Sequence, residues 1–293
     1  VSAHRSIFLV LVGLGVACHS APRVADEPAV AAAAADSTPR PPNTTTRDIS
    51  PLCKDQPGMA FIPAGRTAFH SVAVDQREVD VGAFWLDIYE TTVEDYRACV
   101  HAGGCTPPYR GTSGYTDADR NPLVCTWEIK GIENLPINCV DGDQHDAYCA
   151  WRGKRPPFSH ELHWAARGRD RQQRYPWGDD AVTCDLAIAD ENDEDAVRGC
   201  GLGRPWPVGS RPKGRSRDGV FDLIGNVAEK SHTPFRDDRH GDLREACGAS
   251  WRTRSLSRGF LGCSPGSREN YSDNSGFRCA LDPGPLPPCT VAP

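Results

Sequence analysis

No C-x-x-C pair occurs among the 13 cysteines of this 293-residue chain, which removes the close-spaced thiolates a structural zinc site uses. Histidines four apart on a helix are also missing. His160 and His163 stand three apart with Glu161 between them; they share a helix face but do not make the helical zinc-protease pattern. Solvated or hydrogen-bonded histidines are expected there instead. The chain has no excess of positive charge. Its 33 Lys and Arg are interspersed among 39 Asp and Glu for a net charge of −6, which excludes an extended nucleic-acid surface. Apolar residues make up only 39 %, while Gly (28) and Pro (25) are abundant. That favours a loop-rich fold over a helical bundle.

The one early apolar run, Ile7 to Val16, is too short to span a bilayer. It follows His4 and Arg5 and leads into Gly15-Val16-Ala17-Cys18, the pattern of an export signal ending in small residues. A cysteine directly after the cut resembles a bacterial lipoprotein box. Residues 1–18 are therefore expected to be a signal peptide, with Cys18 lipidated as the new N-terminus; ordinary cleavage near Ala17 or Ala21 is the alternative. Residues 19–50 are rich in Ala, Pro, Thr and Ser, including Ala31 to Ala35 and Pro41-Pro42. With so few large apolar groups the stretch cannot offset its own ordering entropy, and it reads as a disordered tether. Residues 51–293 are long enough for one domain with a proper core. An exported, lipid-anchored protein is the expectation, held at the cell membrane or outer membrane.

Setting aside Cys18 leaves an even number of the 13 cysteines, as a disulfide framework in an oxidising compartment requires. Counting does not give connectivity. Proximity suggests Cys99 with Cys105, Cys125 with Cys139, and Cys184 with Cys200. Cys53 and Cys289 flank the domain and would tie its ends together.

The stretch from Cys247 to Ala280 carries the sharpest signal: Gly248-Ala249-Ser250-Trp251, a run of arginines, then Gly276-Phe277-Arg278-Cys279. Upstream stand Met59-Ala60-Phe61-Ile62-Pro63-Ala64-Gly65, Phe84-Trp85-Leu86-Asp87-Ile88-Tyr89-Glu90-Thr91-Thr92, Gly153-Lys154-Arg155-Pro156, Tyr175-Pro176-Trp177-Gly178-Asp179 and Gly225-Asn226-Val227-Ala228-Glu229. Taken in order, these resemble the formylglycine-generating enzyme (sulfatase-modifying factor) family. The resemblance implies a compact, irregular α+β fold, distantly like C-type lectins, low in regular structure and here disulfide-rich. It also implies a disulfide between Cys149 and Cys279, after which Cys247 would join Cys263.

In the family's enzymes two cysteines, two and seven residues past the aromatic of the Gly-Gly-Ser-aromatic run, hold Cu(I). Those positions are Thr253 and Arg258. Cu(I) is soft and held by thiolates; a hydroxyl is a poor substitute and a guanidinium repels the metal. Copper and the family's oxidation are therefore not expected, and the degenerate site suggests a binding or structural module. The alternative is a formylglycine-type oxidase using an unfamiliar arrangement, with Cys247 and Cys263 the only thiol candidates nearby. The resemblance further suggests calcium at Asn226, Val227 and Glu229, the alternative being that Asn226 and Glu229 satisfy buried backbone groups of the turn; it places the acidic run Asp190 to Asp195 near another family calcium site, with a solvated loop as the alternative. A strand over Trp251 to Arg258 would align Arg252, Arg254 and Arg258 as a basic face for an anionic ligand, alongside an envelope protein or peptide as other partners. A monomer is expected.

Overall fold

Strand β4 (Phe84–Asp87) is the centre of the first sheet, because Phe84, Trp85 and Leu86 are all buried and need cover on both faces. In the computed structural model β1 (Met59–Ile62) and β9 (Ala280–Leu281) flank it, both antiparallel. The model describes residues 55–71, 74–108, 124–189, 198–232, 244–253, 262–266 and 271–284. The signal and tether, Cys18, the Cys53–Cys289 link, Asp190 to Asp195, Arg254 and Arg258 lie outside the described residues. Residues Asp48–Pro293 form one compact unit.

A long hairpin, β2 (Gly65–Ser71) and β3 (Val74–Val81), follows β1. Helix α1 (Val93–His101) starts where Thr92 Oγ1 accepts the Asp95 N–H at 3.1 Å, with Glu94 and Asp95 in the first turn where the helix dipole favours acids. Helix α2 (Gly142–Trp151) opens on a capping box between Asp141 and Gln144. Helix α3 (Ser159–Ala166) is buried along its whole length. Its Glu161 reaches back to the Phe158 N–H at 2.8 Å and pairs with Arg155 at 2.7 Å. A second sheet takes the order β7 (Cys263–Gly266), β6 (Arg244–Cys247), β5 (Ala228–His232), β8 (Ser275–Gly276), the last pair parallel.

The apolar interior forms two clusters. One gathers Ile62, Phe69, Phe84, Leu86, Trp164 and Ile224 between the sheets and α3. The other joins α1 and α2 through Tyr96, Leu135, Ile137, Tyr148 and Phe277. Five disulfides are described: Cys99–Cys105, Cys125–Cys139, Cys149–Cys279, Cys184–Cys200 and Cys247–Cys263. Cys149–Cys279 spans 130 residues and pins α2 to the segment entering β9. Cys247–Cys263 bridges directly opposed residues of β6 and β7.

The expectation for α3 needs one correction. His160 and His163 are not solvated: they are 9 % and 3 % exposed, with His163 edge-on to Phe69 and His160 stacked on Phe158. Packing of α3 against the β2–β3 hairpin and β6 buries both histidines.

Candidate functional site

The Gly-Asn-Val segment before β5 is built around one buried acid. Asn226 sits at φ 56°, the left-handed region, and the preceding Gly225 at φ 88°. A side chain at Gly225 would place its Cβ 2.7 Å from the Ile188 carbonyl oxygen, so only glycine fits. The turn presents Asn226 Nδ2 to Glu90 Oε2 at 2.6 Å and the Val227 N–H to Glu90 Oε1 at 3.1 Å. Asn226 Oδ1 accepts the Trp206 N–H at 2.9 Å, and its backbone carbonyl accepts the Trp251 N–H at 2.8 Å.

Beneath this turn lies Arg278, fully buried. Its guanidinium donates to Glu229 Oε1 at 2.6 Å, to the carbonyls of Asp87 and Ile88 at 2.9 and 3.0 Å, and to Phe221 O at 2.7 Å. Three acids surround this one cation. Burial raises the Glu90, Asp222 and Glu229 carboxyls above their ordinary range, Glu90 by far, while Arg278 opposes the shift.

Part of the oxygen set expected to hold calcium is already engaged. Asn226 Oδ1 accepts an N–H donor and Glu229 Oε1 holds a guanidinium, while Glu229 Oε2 is buried with no hydrogen-bond partner among the described residues. A divalent ion beside Arg278 would meet like charge at contact distance. Asn226 and Val227 are brought together by Glu90, and Glu229 is committed to Arg278. Among the described residues no group of three His, Cys, Asp or Glu is placed to hold a metal ion.

Of the two copper positions, only Thr253 lies among the described residues. Trp251 to Thr253 is a turn, not a strand, closed by the Thr253 N–H on Ser250 O at 2.9 Å. Thr253 Oγ1 accepts the Ser250 N–H at 2.9 Å. The hydroxyl thus completes the turn from inside, and a hydroxyl does not fit Cu(I). The nearest cysteines, Cys247 and Cys263, are tied to each other and are 4 % and 1 % exposed.

Arg252 also needs correction as a ligand-binding residue. Its Nη2 lies 2.6 Å from Asp273 Oδ2, the side chain is 10 % exposed, and its guanidinium covers the Trp251 ring at 4.5 Å. Asp273 also accepts the Val124 N–H at 2.8 Å. Arg252 therefore fastens the closing segment to the loop before β8. Arg252 itself lies in a turn; Arg254 and Arg258 lie outside the described residues.

A separate cavity of about 200 Å³ is lined by Pro57, Asp87, Tyr89, Glu90, Tyr148, Arg152 and Lys154 among others. Its polar groups come from the Leu-Asp-x-x-Glu-Thr-Thr run, the end of α2 and the Gly-Lys-Arg turn. The motifs by themselves mark no site here; the signal in the sequence was three acids and two cations in segments otherwise explained as scaffold.

The architecture is that of a disulfide-cross-linked α+β domain whose closing Gly-Phe-Arg-Cys segment anchors a buried arginine. Residues 45–283 match the model of the sulfatase-modifying factor enzyme 1-like domain, and the chain belongs to that family. It is 29 % identical over 279 residues to the inactive Cα-formylglycine-generating enzyme 2 of Mus musculus, covering 78 % of this chain and 87 % of that protein. It is 39 % identical to the formylglycine-generating enzyme of Streptomyces coelicolor over 189 residues, 56 % of this chain and 58 % of that one. Among solved structures, CarF superposes with a TM-score of 0.58 at 17 % identity, covering 77 % of this chain and 98 % of its own, a likeness of fold alone.

Proposed function

We propose that this chain is a non-oxidising member of its family, an exported binding or structural module held at the cell envelope through a lipid on Cys18. The observation that carries the reading is the turn at Ser250–Thr253. A hydroxyl stands at the first copper position and is engaged with its own backbone. The second position, Arg258, is a permanent cation. The similarity to a relative named inactive supports the same reading. The five disulfides fit an extracytoplasmic setting. No helix among the described residues is long and apolar enough to cross a membrane, so the envelope attachment proposed here rests on Cys18.

Identity to a formylglycine-generating enzyme favours a second reading, in which Cys247 and Cys263 open to a reactive pair. A thiol count on denatured but unreduced protein distinguishes the two. The module is expected to show no alkylated cysteine within the domain. Labelling at Cys247 and Cys263 would contradict it and favour the oxidase.

A further inference from the structure

The cavity beside α2 is a polar recess lined by two opposed charge pairs and by the buried carboxyl of Glu90. At its floor Lys154 Nζ lies 2.5 Å from Asp87 Oδ1, with the two side chains 14 % and 17 % exposed. Asp87 is held in place by the Cys279 N–H, which donates to Oδ2 at 3.1 Å. At its rim Arg152 Nη1 stands 3.8 Å from Asp95 Oδ1, and these side chains are 41 % and 47 % exposed. That separation is too long for a hydrogen bond, so the rim pair attracts without being joined. An ammonium has three N–H groups and a guanidinium five, and the Asp87 contact uses one of those on Lys154. Both cations therefore keep donors for an incoming group. Asp95 accepts from Thr92 Oγ1 at 2.7 Å through Oδ2, which leaves Oδ1 turned toward Arg152.

Shape narrows the ligand further. The volume of about 200 Å³ is below the roughly 300–1,000 Å³ of drug-sized pockets and suits a molecule of few heavy atoms. Pro57, Val208 and the Tyr89 ring give it an apolar wall, and Tyr89 is braced by Phe221 at 5.0 Å between ring centroids. The recess thus offers spare donors from two cations, a carboxylate oxygen beside one of them, and a small apolar surface. A lone anion or cation would meet only one member of the loose rim pair. A molecule carrying one charge of each sign enters between its members and meets both.

We propose that this cavity binds a small zwitterion of the α-amino-acid class. Its carboxylate lies against Lys154 and Arg152, its ammonium against Asp95, and its side chain against Tyr89 and Val208. None of the lining residues belongs to the Cys247–Cys263 segment or to the Ser250–Thr253 turn. Binding here and oxidation there are read separately, so failure of one leaves the other standing.

The test is calorimetric titration of the full chain with L-alanine, L-serine and L-glutamine, beside acetate and methylammonium as the single-charge halves. At least one amino acid is expected to bind with a Kd of about 1 mM or tighter. Neither half should bind within tenfold of it. Arg152→Ala removes a half-exposed side chain and is expected to weaken binding about tenfold or more, as loss of a charge-assisted hydrogen bond does, with an unchanged urea midpoint. Asp95→Asn should weaken the amino acids and leave acetate unaffected. Absence of binding by all three amino acids overturns the proposal. So does acetate binding as tightly as they do, or Arg152→Ala binding like the parent chain.

Discussion

Arg278→Met is expected to destabilise the domain by about 3–5 kcal/mol, enough to leave a domain of ordinary stability largely unfolded. The guanidinium is the hub on which the end of β4, the loop before β5 and β5 itself converge, through three backbone carbonyls and Glu229. A methionine fills the space but leaves Glu229 as a buried charge without its cation and three carbonyls without donors. Arg278→Lys should be intermediate, because one ammonium cannot span all the acceptors the planar fork reaches.

The loss should depend on pH in a defined direction. Glu90, Asp222 and Glu229 are raised by burial, so the folded state holds their protons more tightly than the unfolded chain. Stability associated with such groups is full below the unfolded value, 4.5 for the glutamates, and is lost as pH rises through the raised folded values. Removing Arg278 takes away what holds these values down. The deficit of Arg278→Met should therefore shrink as the pH is lowered from neutrality toward the ordinary glutamate range. Urea midpoints at the two pH values measure it. A midpoint equal to the parent at neutral pH, or a deficit that grows in acid, would refute the hub assignment.

The second large effect is expected from the Cys149→Ser/Cys279→Ser pair. The bond closes a loop of 130 residues, for which the chain-entropy model gives about 5 kcal/mol; shorter disulfides inside that loop bring the expectation to about 3–5 kcal/mol. The same model gives about 2 kcal/mol for Cys99–Cys105, six residues apart. Opening the long link should thus cost clearly more in urea midpoint than opening the short one. Equal losses would mean that α2 is held to the β9 segment by packing of Tyr148 and Phe277 rather than by the bond.

Much of the fold could be read from short motifs because each fixes a backbone event. Thr92 ends a loop with a capping side chain, and the alternation of Phe84, Leu86 and Ile88 suits a strand with one buried face, although burial of Trp85 covers the other face as well. What the motifs could not supply was the partner of each polar side chain. Asn226 and Glu229 were visible as a pair of oxygen donors, yet Trp206 and Arg278, distant in sequence, engage one oxygen of each, and Glu90 accepts from the Asn226 amide nitrogen. Arg252 read as part of a basic face because strand alternation was assumed where Ser250 and Thr253 make a turn. Asp273, the residue that claims it, lies 21 positions away. The cavity was hidden for the same reason: Asp87, Arg152 and Lys154 meet only once α2 docks beside β4.

We propose that the family's oxidation has been lost in this chain while its scaffold has been kept. That loss is tested most directly on the purified domain without Cys18, loaded with Cu(I) in air and offered a peptide containing C-x-P-x-R. Mass spectrometry then follows conversion of the peptide thiol to an aldehyde. No conversion above a copper-only control is expected. Turnover above that control would contradict the proposal and make this chain an oxidase with a site other than Thr253 and Arg258.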